Sequence, residues 1–297
     1  ISACLVGSEM CIRDSIAALD DEIAHNENLY SRLHAVWDSR HQSGLSTEQQ
    51  RLVEVLLTSM QRRGSGLAPA AKARLAEINA RLAALSAHYN QNLIQEAGSQ
   101  VVFIEDETGL QGLPADLCQA AASVATEKGR PGIWAIPNAR GAVWPFLKFS
   151  TRRDLREQVW RMWTNRGDNA GPLDNKPIAN EILQLRGELA RLLGFTSYAH
   201  FAMADRMAGN PDTALDLLKR TWQSVKARAL SQVADYQAIA DRESAGIRLA
   251  PWDRQFYAEK LRRERFNLDS DAVKAHLPLN GVLHAMFWAA RRVHGLE

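Results

Sequence analysis

The chain has 297 residues, of which 46% are hydrophobic and 24% are charged. This is the composition of an ordinary globular protein, and it excludes a disordered, collagen-like or mucin-like chain. The formal net charge of +2 lacks the basic excess of a nucleic-acid-binding protein, so we expect no nucleic-acid partner. No apolar run approaches the ~20 residues that span a bilayer, so we expect no membrane partner.

The first 15 residues, ISACLVGSEMCIRDS, differ from the rest of the chain. They lack helical periodicity and the basic start and long apolar centre of a secretory signal. We interpret residues 1–15 as a foreign leader, with an ordinary N-terminal segment as the alternative. The three cysteines, Cys4, Cys11 and Cys118, form no CxxC pair, so we expect no stable disulfide and a reducing compartment. This favours the cytoplasm, with the periplasm as the alternative.

The N-terminal third of the remaining chain has a helical pattern. Ser46 and Gln49 have the spacing of a capping box and predict a helix start. A long helix is predicted over residues 70–97, because its apolar residues recur every three or four positions. These residues are Leu75, Ile78, Leu82, Leu85, Tyr89 and Leu93.

Strand-like sequence occurs only in the middle of the chain. Gln100–Asp106 is rich in β-branched and aromatic residues, and Gly132–Phe146 is predicted to form two short extended runs around a turn. The segment between them is predicted to be a helix that begins after Pro114 and ends at Gly129. One small β element is therefore expected near residues 100–146.

Helical sequence resumes after this element. Thr151 and Asp154 predict a second capped helix start, and the Asn210-Pro211 pair predicts a third. Three apolar stripes follow: Ile178, Ile182, Leu185, Leu189 and Leu192; Leu215, Leu218, Trp222, Val225, Ala229, Val233 and Tyr236; and Val282, Leu283, Met286, Phe287, Ala290 and Val293. The predicted fold class is all-α, with long and mostly antiparallel helices and the small β element.

The histidines show no metal-binding pattern. His34 and His41 share a helix face but lie two turns, ~10 Å, apart, which one ion cannot bridge. No HExxH motif occurs, so the usual helical zinc pair is missing. We therefore assign none of the eight histidines to a metal: His25, His34, His41, His88, His200, His276, His284 and His294.

Other candidate groups also favour structural roles. Cys118 is expected to be a buried, inert thiol, and the acidic run Glu105–Glu107 is expected to be loop charge. The eight tryptophans mostly have the spacing of helix core residues, and we expect them in the core. The basic cluster Lys260, Arg262, Arg263 and Arg265 is expected to be a solvated helix face, with a wall that attracts peptide carboxylates as the functional alternative. No catalytic, cofactor-binding or metal-binding residue is assigned.

Several stretches nevertheless resemble the thimet oligopeptidase and peptidyl-dipeptidase family of zinc peptidases. They include PWDRQFYAEKLRRERFNLD (Pro251–Asp269), LARLLGFTSYAHFAMADRMA (Leu189–Ala208) and LPLNGVLHAMFWAARRVHGLE (Leu277–Glu297). The segment LREQVWRMWTNRG (Leu155–Gly167) also fits, and the resemblance covers about residues 16–297. It is closest to the bacterial peptidyl-dipeptidases, with the oligopeptidase A group as the near alternative.

The resemblance implies a helical shell around a deep channel and hydrolysis of short peptides by a zinc-bound water. In the family, the zinc is held by the two His of HExxH and a later Glu. Because HExxH is absent here, none of these residues is carried over to this chain. We expect residues 16–297 to be the N-terminal and middle helical part of such a peptidase, truncated before its zinc motif, monomeric, inactive alone and without bound zinc.

A non-catalytic helical scaffold or peptide-binding protein is the alternative. The final helix argues against it, because its apolar residues have no following partner in the sequence. The sequence leaves open whether the longer protein cleaves within peptides or at their ends, and which peptides it prefers.

Overall fold

The computed structural model describes residues 26–267 and 276–296, together with single residues 19, 22, 23 and 273. The predicted leader, with Cys4 and Cys11, and His25 lie outside the described residues. The described part of the chain is mostly helical and contains a two-stranded sheet, which confirms the predicted all-α class with one small β element. None of the described helices is long and apolar enough to cross a membrane.

The helices are numbered in chain order. They are α1 (Glu27–Asp38), α2 (Thr47–Arg62), α3 (Pro69–Ser99), α4 (Ala115–Glu127), α5 (Arg140–Phe149), α6 (Arg153–Thr164), α7 (Lys176–Leu192), α8 (Tyr198–Met203), α9 (Pro211–Arg242), α10 (Arg254–Phe266) and α11 (Leu279–His294). Short 3₁₀ turns cover Glu107–Leu110 and Pro251–Asp253. Strands β1 (Val101–Ile104) and β2 (Trp134–Pro137) pair in antiparallel register, with Val102 opposite Ile136.

The chain divides into two compact units, Ile1–Gln91 with Asn175–Lys219 and Asn92–Asp174 with Arg220–Glu297. In the first unit, α3 packs its predicted apolar stripe against α7. Leu75 and Ile78 are buried there with Leu189. Their spacing puts the two α3 residues on one face of the helix, so both can pack against α7.

The second unit contains two apolar clusters. The larger one packs the sheet against α5 and α6, and Ile136, Phe146 and Val159 are fully buried in it. The smaller one joins the C-terminal end of α9 to α10 through Tyr236 and Tyr257. Burying aromatic and branched side chains of this size stabilises the fold by about 1.5–3 kcal/mol each.

Two of the three predicted helix caps are present. The Ser46 hydroxyl accepts from the Gln49 N–H and the Gln49 side chain accepts from the Ser46 N–H, which completes the predicted capping box of α2. The Asn210 side chain accepts from the Thr213 N–H at the start of α9, at 2.8 Å. Both caps satisfy backbone donors that a helix leaves unpaired.

The prediction for the segment after β2 is wrong. Instead of a second extended run, Arg140–Phe149 forms helix α5, with Pro145 inside it. Its buried residues Val143, Phe146 and Leu147 have helical spacing and fill the larger core cluster. Tertiary burial therefore overrides the strand preference of this β-branched and aromatic segment, and it outweighs the backbone hydrogen bond that a proline cannot donate.

The predicted cap of the next helix is also wrong. Helix α6 begins at Arg153, and its N-cap residue, Arg152, makes no side-chain cap bond. Asp154 instead accepts two hydrogen bonds from the Arg152 guanidinium, at 3.0 and 2.7 Å. A guanidinium offers a bidentate, charge-assisted partner, which competes well for a carboxylate against one backbone N–H.

Several residues predicted to be core are exposed. Most of the α9 stripe is accessible, including Leu218 and Trp222, both 64% exposed, and Tyr236 is its buried member. Trp144 and Trp288 are exposed as well, so the assignment of the tryptophans to the core fails at three positions. Cys118 is half-buried instead of buried.

Candidate functional site

A buried carboxylate, that of Asp253, lies near the start of Pro251–Asp269, one of the stretches that resemble the peptidase family. Asp253 is 0% exposed and accepts from Arg156 Nη2 at 2.8 Å and from Arg153 Nη2 at 3.0 Å. It also accepts from the Ala250 N–H at 3.0 Å, which fixes the turn before α10. Arg156, itself 2% exposed, donates in addition to the Ser150 carbonyl oxygen. This network joins α6 to the start of α10.

The electrostatics of Asp253 follow from these contacts. Burial by itself raises the pKa of Asp253, because it disfavours the charged carboxylate. The hydrogen bonds from Arg153 and Arg156 outweigh burial and hold the pKa below its ordinary value. Asp253 is therefore an ionised structural anchor, and no proton is available from it near neutral pH.

The basic cluster of α10 is paired with carboxylates of its own chain. Arg262 and Arg263 both donate to Glu259, at 2.7 and 2.9 Å. Lys260 lies 2.6 Å from a Glu243 oxygen and Arg265 lies 2.7 Å from an Asp235 oxygen. Carboxylates of the same chain therefore neutralise the positive charges of this helix face. This argues against the alternative that the face is a wall that attracts peptide carboxylates.

Glu259 is the second buried carboxylate of this region, at 6% exposure. Burial raises its pKa, but the hydrogen bonds from Arg262, Arg263 and Lys148 outweigh burial and lower the pKa to about 2. Lys148 belongs to α5, and its Nζ lies 3.2 Å from the carboxylate. Glu259 thereby connects α10 to α5.

A third buried carboxylate orders the loop after α6. Glu96, near the end of α3, is 3% exposed and accepts from the Gly167 N–H and the Asn169 side-chain amide. It also accepts from Gln100 Nε2 at 2.9 Å. These bonds hold the loop of residues 165–169 beside the start of β1.

Clefts with polar lining occur in both units. In the first unit, a cleft of about 560 Å³ is lined by Arg51, Arg62 and Arg63, with Glu54 and Asp205 beside them. Arg51 is 2.7 Å from Glu54 and Arg62 is 3.6 Å from Asp205, so acidic neighbours offset its basic lining. In the second unit, a cleft of about 490 Å³ lies between Ser99–Phe103 and residues of α6 and the following loop.

Other candidate groups lie apart from one another. Each histidine in the described ranges is exposed, and His34 and His200 pair with Asp38 and Ser197. Within those ranges no three His, Cys, Asp or Glu side chains approach closely enough to hold a metal ion. The described residues therefore do not fit the zinc that the family resemblance implies.

The remaining sequence candidates are placed as follows. Burial raises the pKa of the Cys118 thiol, which lowers its reactivity near neutral pH. The run Glu105–Glu107 is exposed. Glu105 pairs with Arg130 at 2.9 Å, and Asp106 caps the 3₁₀ turn through the Thr108 N–H.

Sequence reasoning missed the three buried carboxylates, Glu96, Asp253 and Glu259. Asp253 and Arg153 are 100 positions apart in the chain, so no local pattern connects them. The one available signal was the placement of arginines three apart at 153 and 156, which puts both on one face of α6.

The buried charge network of residues 251–266 lies within a region that matches a known protein family. Residues 146–297 match the model of Peptidase family M3. The match covers half of the chain, and the chain belongs to this family. It confirms the resemblance seen in the sequence.

Among curated proteins, the chain is 34% identical over 283 residues to dipeptidyl carboxypeptidase of Escherichia coli (strain K12). That match covers 95% of this chain and 42% of the relative. Oligopeptidase A of Salmonella typhimurium is 30% identical over 278 residues, covering 92% of this chain and 41% of the relative. The chain thus spans less than half the length of the curated relatives it matches.

Proposed function

We propose that this chain is the N-terminal and middle helical part of a longer, zinc-dependent peptidase that releases dipeptides from the C-termini of oligopeptides. The carrying observation is the family match over residues 146–297. The higher identity to the E. coli dipeptidyl carboxypeptidase, 34% against 30% for oligopeptidase A, favours the dipeptide-releasing activity.

The 297-residue chain by itself is then inactive and binds no stoichiometric zinc. This part of the proposal is supported by the absence of HExxH from its sequence. Residues 16–297 would contribute helical walls to the substrate channel, with peptides as the partner. We propose the cytoplasm as the compartment and a monomer as the oligomeric state.

Peptide hydrolysis by purified protein tests the proposal. Two proteins would be purified: the 297-residue chain, and a longer protein that also contains the sequence encoded downstream of residue 297. Each would be incubated with a tripeptide that has a blocked N-terminus and a free C-terminal carboxylate. For expression in E. coli, the host strain should lack its own dipeptidyl carboxypeptidase, because E. coli K12 has this relative of the chain. An empty-vector preparation controls for contamination.

We expect dipeptide release by the longer protein, loss of that release with 1,10-phenanthroline, and no release by the 297-residue chain. Chelator-sensitive hydrolysis by the chain alone would overturn its inactivity. A longer protein that holds zinc but cleaves no peptide would overturn the peptidase function. Cleavage of peptides with an amidated C-terminus would replace the dipeptide-releasing activity with endopeptidase activity.

A non-catalytic helical scaffold is the second candidate, and like the inactive peptidase fragment it would have no metal-ligand cluster among the described residues. The genomic sequence downstream separates the two candidates. A reading frame that continues to HExxH favours the peptidase, and a stop codon directly after residue 297 favours the scaffold.

A further inference from the structure

Among the residues that the structure describes, strand β1 pairs with another strand along one edge, and its other edge is open. Its pairing partner is β2. Asn138 N donates to Gln100 O at 3.3 Å, so the pair just before β1 is a hydrogen-bonded pair. Because such pairs alternate along an antiparallel ladder, Val102 and Ile104 exchange bonds with β2, and the backbone groups of Val101 and Phe103 point the other way.

The partner of Val101 supports this assignment. Val101 lies opposite Pro137, and a proline has no N–H to give to the ladder. A proline is therefore tolerated at this register position only because no bond is needed there. Within the described ranges, no turn, loop or cap hydrogen bond joins the backbone groups of Val101 or Phe103 to another part of the chain.

Side chains of β1 contact neighbours on both faces of the strand. Val102 and Ile104 pack into the larger core cluster. On the other face, the Arg130 guanidinium lies 4.5 Å from the centre of the Phe103 ring. These contacts and the pairing with β2 support the extended conformation of β1. A strand that is already extended lowers the entropic cost of adding a further strand.

The cleft of about 490 Å³ in the second unit runs along this strand. Ser99–Phe103 form one wall. The lining also includes the exposed side chains of Asn165 and of Arg161, which pairs with Glu157 at 2.7 Å. Clefts of about 300–1,000 Å³ accommodate small ligands, so this one has room for a short peptide.

We propose that the open edge of β1 binds a short oligopeptide, about as long as β1 itself, by strand addition. The outward N–H and C=O groups of Val101 and Phe103 recur every second residue, ~6.8 Å apart, which matches the repeat of another extended backbone. Main-chain hydrogen bonds would supply the affinity, and Arg161 and Asn165 would contact the side of the peptide. The site is built from this chain alone and does not depend on the proposed peptidase activity.

Backbone N-methylation of a neutral probe tests this mode. The probe is fluorescein-Gly-Thr-Val-Thr-Val-Thr-amide, and its binding to the 297-residue chain is followed by fluorescence anisotropy. A peptide methylated at alternate residues keeps one edge of N–H groups and should bind within threefold of the parent. A peptide methylated at every residue loses both edges and should bind at least tenfold more weakly. Equal binding of the fully methylated peptide, or loss with alternate methylation, would overturn strand addition.

A pair of variants tests the location. Val101→Pro removes an outward N–H without removing a bond to β2 and should raise the probe Kd at least fivefold. Val101→Thr keeps the N–H and the β-branched shape and should leave the Kd within twofold. Equal Kd values for the two folded variants would contradict a site on β1.

Hydrogen exchange on the unmodified chain keeps the test decisive if Val101→Pro does not fold. Saturating probe should slow exchange of the Val101 and Phe103 amides and leave the Val102 and Ile104 amides unchanged. No slowing at Val101 and Phe103 would overturn the proposal. Sedimentation identifies a competing occupant: self-association that Val101→Pro abolishes would assign the edge to a second copy of the chain and contradict the oligopeptide.

Discussion

The core around the sheet and the final helix α11 are built from the same kinds of side chain but differ in what covers them. Phe146 on α5 is 0% exposed, whereas Phe287 on α11 is 65% exposed. Both helices carry apolar residues at helical spacing. Periodicity therefore identifies the apolar face of a helix, and only the presence of a partner surface determines whether that face becomes core.

Truncating the core phenylalanine has the largest expected effect. Phe146→Ala should lower the free energy of unfolding of the chain by about 3–5 kcal/mol, because it removes a fully buried ring and leaves a cavity among close-packed neighbours. Urea unfolding followed by circular dichroism measures it. A loss of unfolding free energy below about 1 kcal/mol would contradict the difference in burial between the core around the sheet and helix α11.

Features of the fold that depend on residues close together in the sequence were predictable, and features that depend on distant residues were not. The caps at Ser46 and Asn210 were predictable, because the bonding groups lie three residues apart. The class of α3, with its long apolar stripe, was predictable for the same reason. The helix α5 was not, because Pro145 and its aromatic neighbours suggest extended chain until the core that they fill is known.

The candidate site residues were less predictable than the fold. Asp253 is an ordinary acidic residue in the sequence, and its partners Arg153 and Arg156 are about 100 positions away. The same holds for Glu96, which lies 71 positions before Gly167. Family resemblance located the segment that contains Asp253, but only the folded contacts define its role.

Buried and exposed charged groups can be compared in the same way, beginning with the buried carboxylate of Asp253. Asp253→Asn should destabilise the chain by about 3 kcal/mol, because it leaves the buried Arg156 without an ionic partner. The matched control is Asp154→Asn, whose carboxylate is 55% exposed and pairs with Arg152 at the surface. The control should cost at most about 1 kcal/mol. Similar losses for both variants, measured by urea unfolding, would contradict the role assigned to burial.

The pH dependence of Glu259 gives a smaller effect of the same kind. Its folded pKa of about 2 lies below the ordinary value of 4.5, so its stabilising contribution is present above pH 4.5 and is lost as the pH falls toward 2. Glu259→Gln should therefore destabilise the chain by about 2–3 kcal/mol at pH 7, and the difference from the unmodified chain should shrink between pH 4.5 and 3.

Glu54→Gln is the matched control for that titration, because Glu54 pairs with Arg51 at the surface of the first unit. Its difference from the unmodified chain should stay within about 0.5 kcal/mol. A difference for Glu259→Gln that is independent of pH would show that the lost contacts, and not the carboxylate charge, cause the destabilisation.

The smallest expected effect belongs to the final helix and completes the comparison. Phe287→Ala should change the free energy of unfolding of the 297-residue chain by less than about 0.5 kcal/mol, because an exposed ring buries little surface on folding. In the longer protein proposed above, a partner surface over α11 would bury this ring. There the same substitution should cost about 3–5 kcal/mol, the value expected for Phe146 in the core. Equal, small losses in both proteins would mean that the apolar face of α11 stays exposed, and the contrast with α5 would then reflect different roles for the two helices.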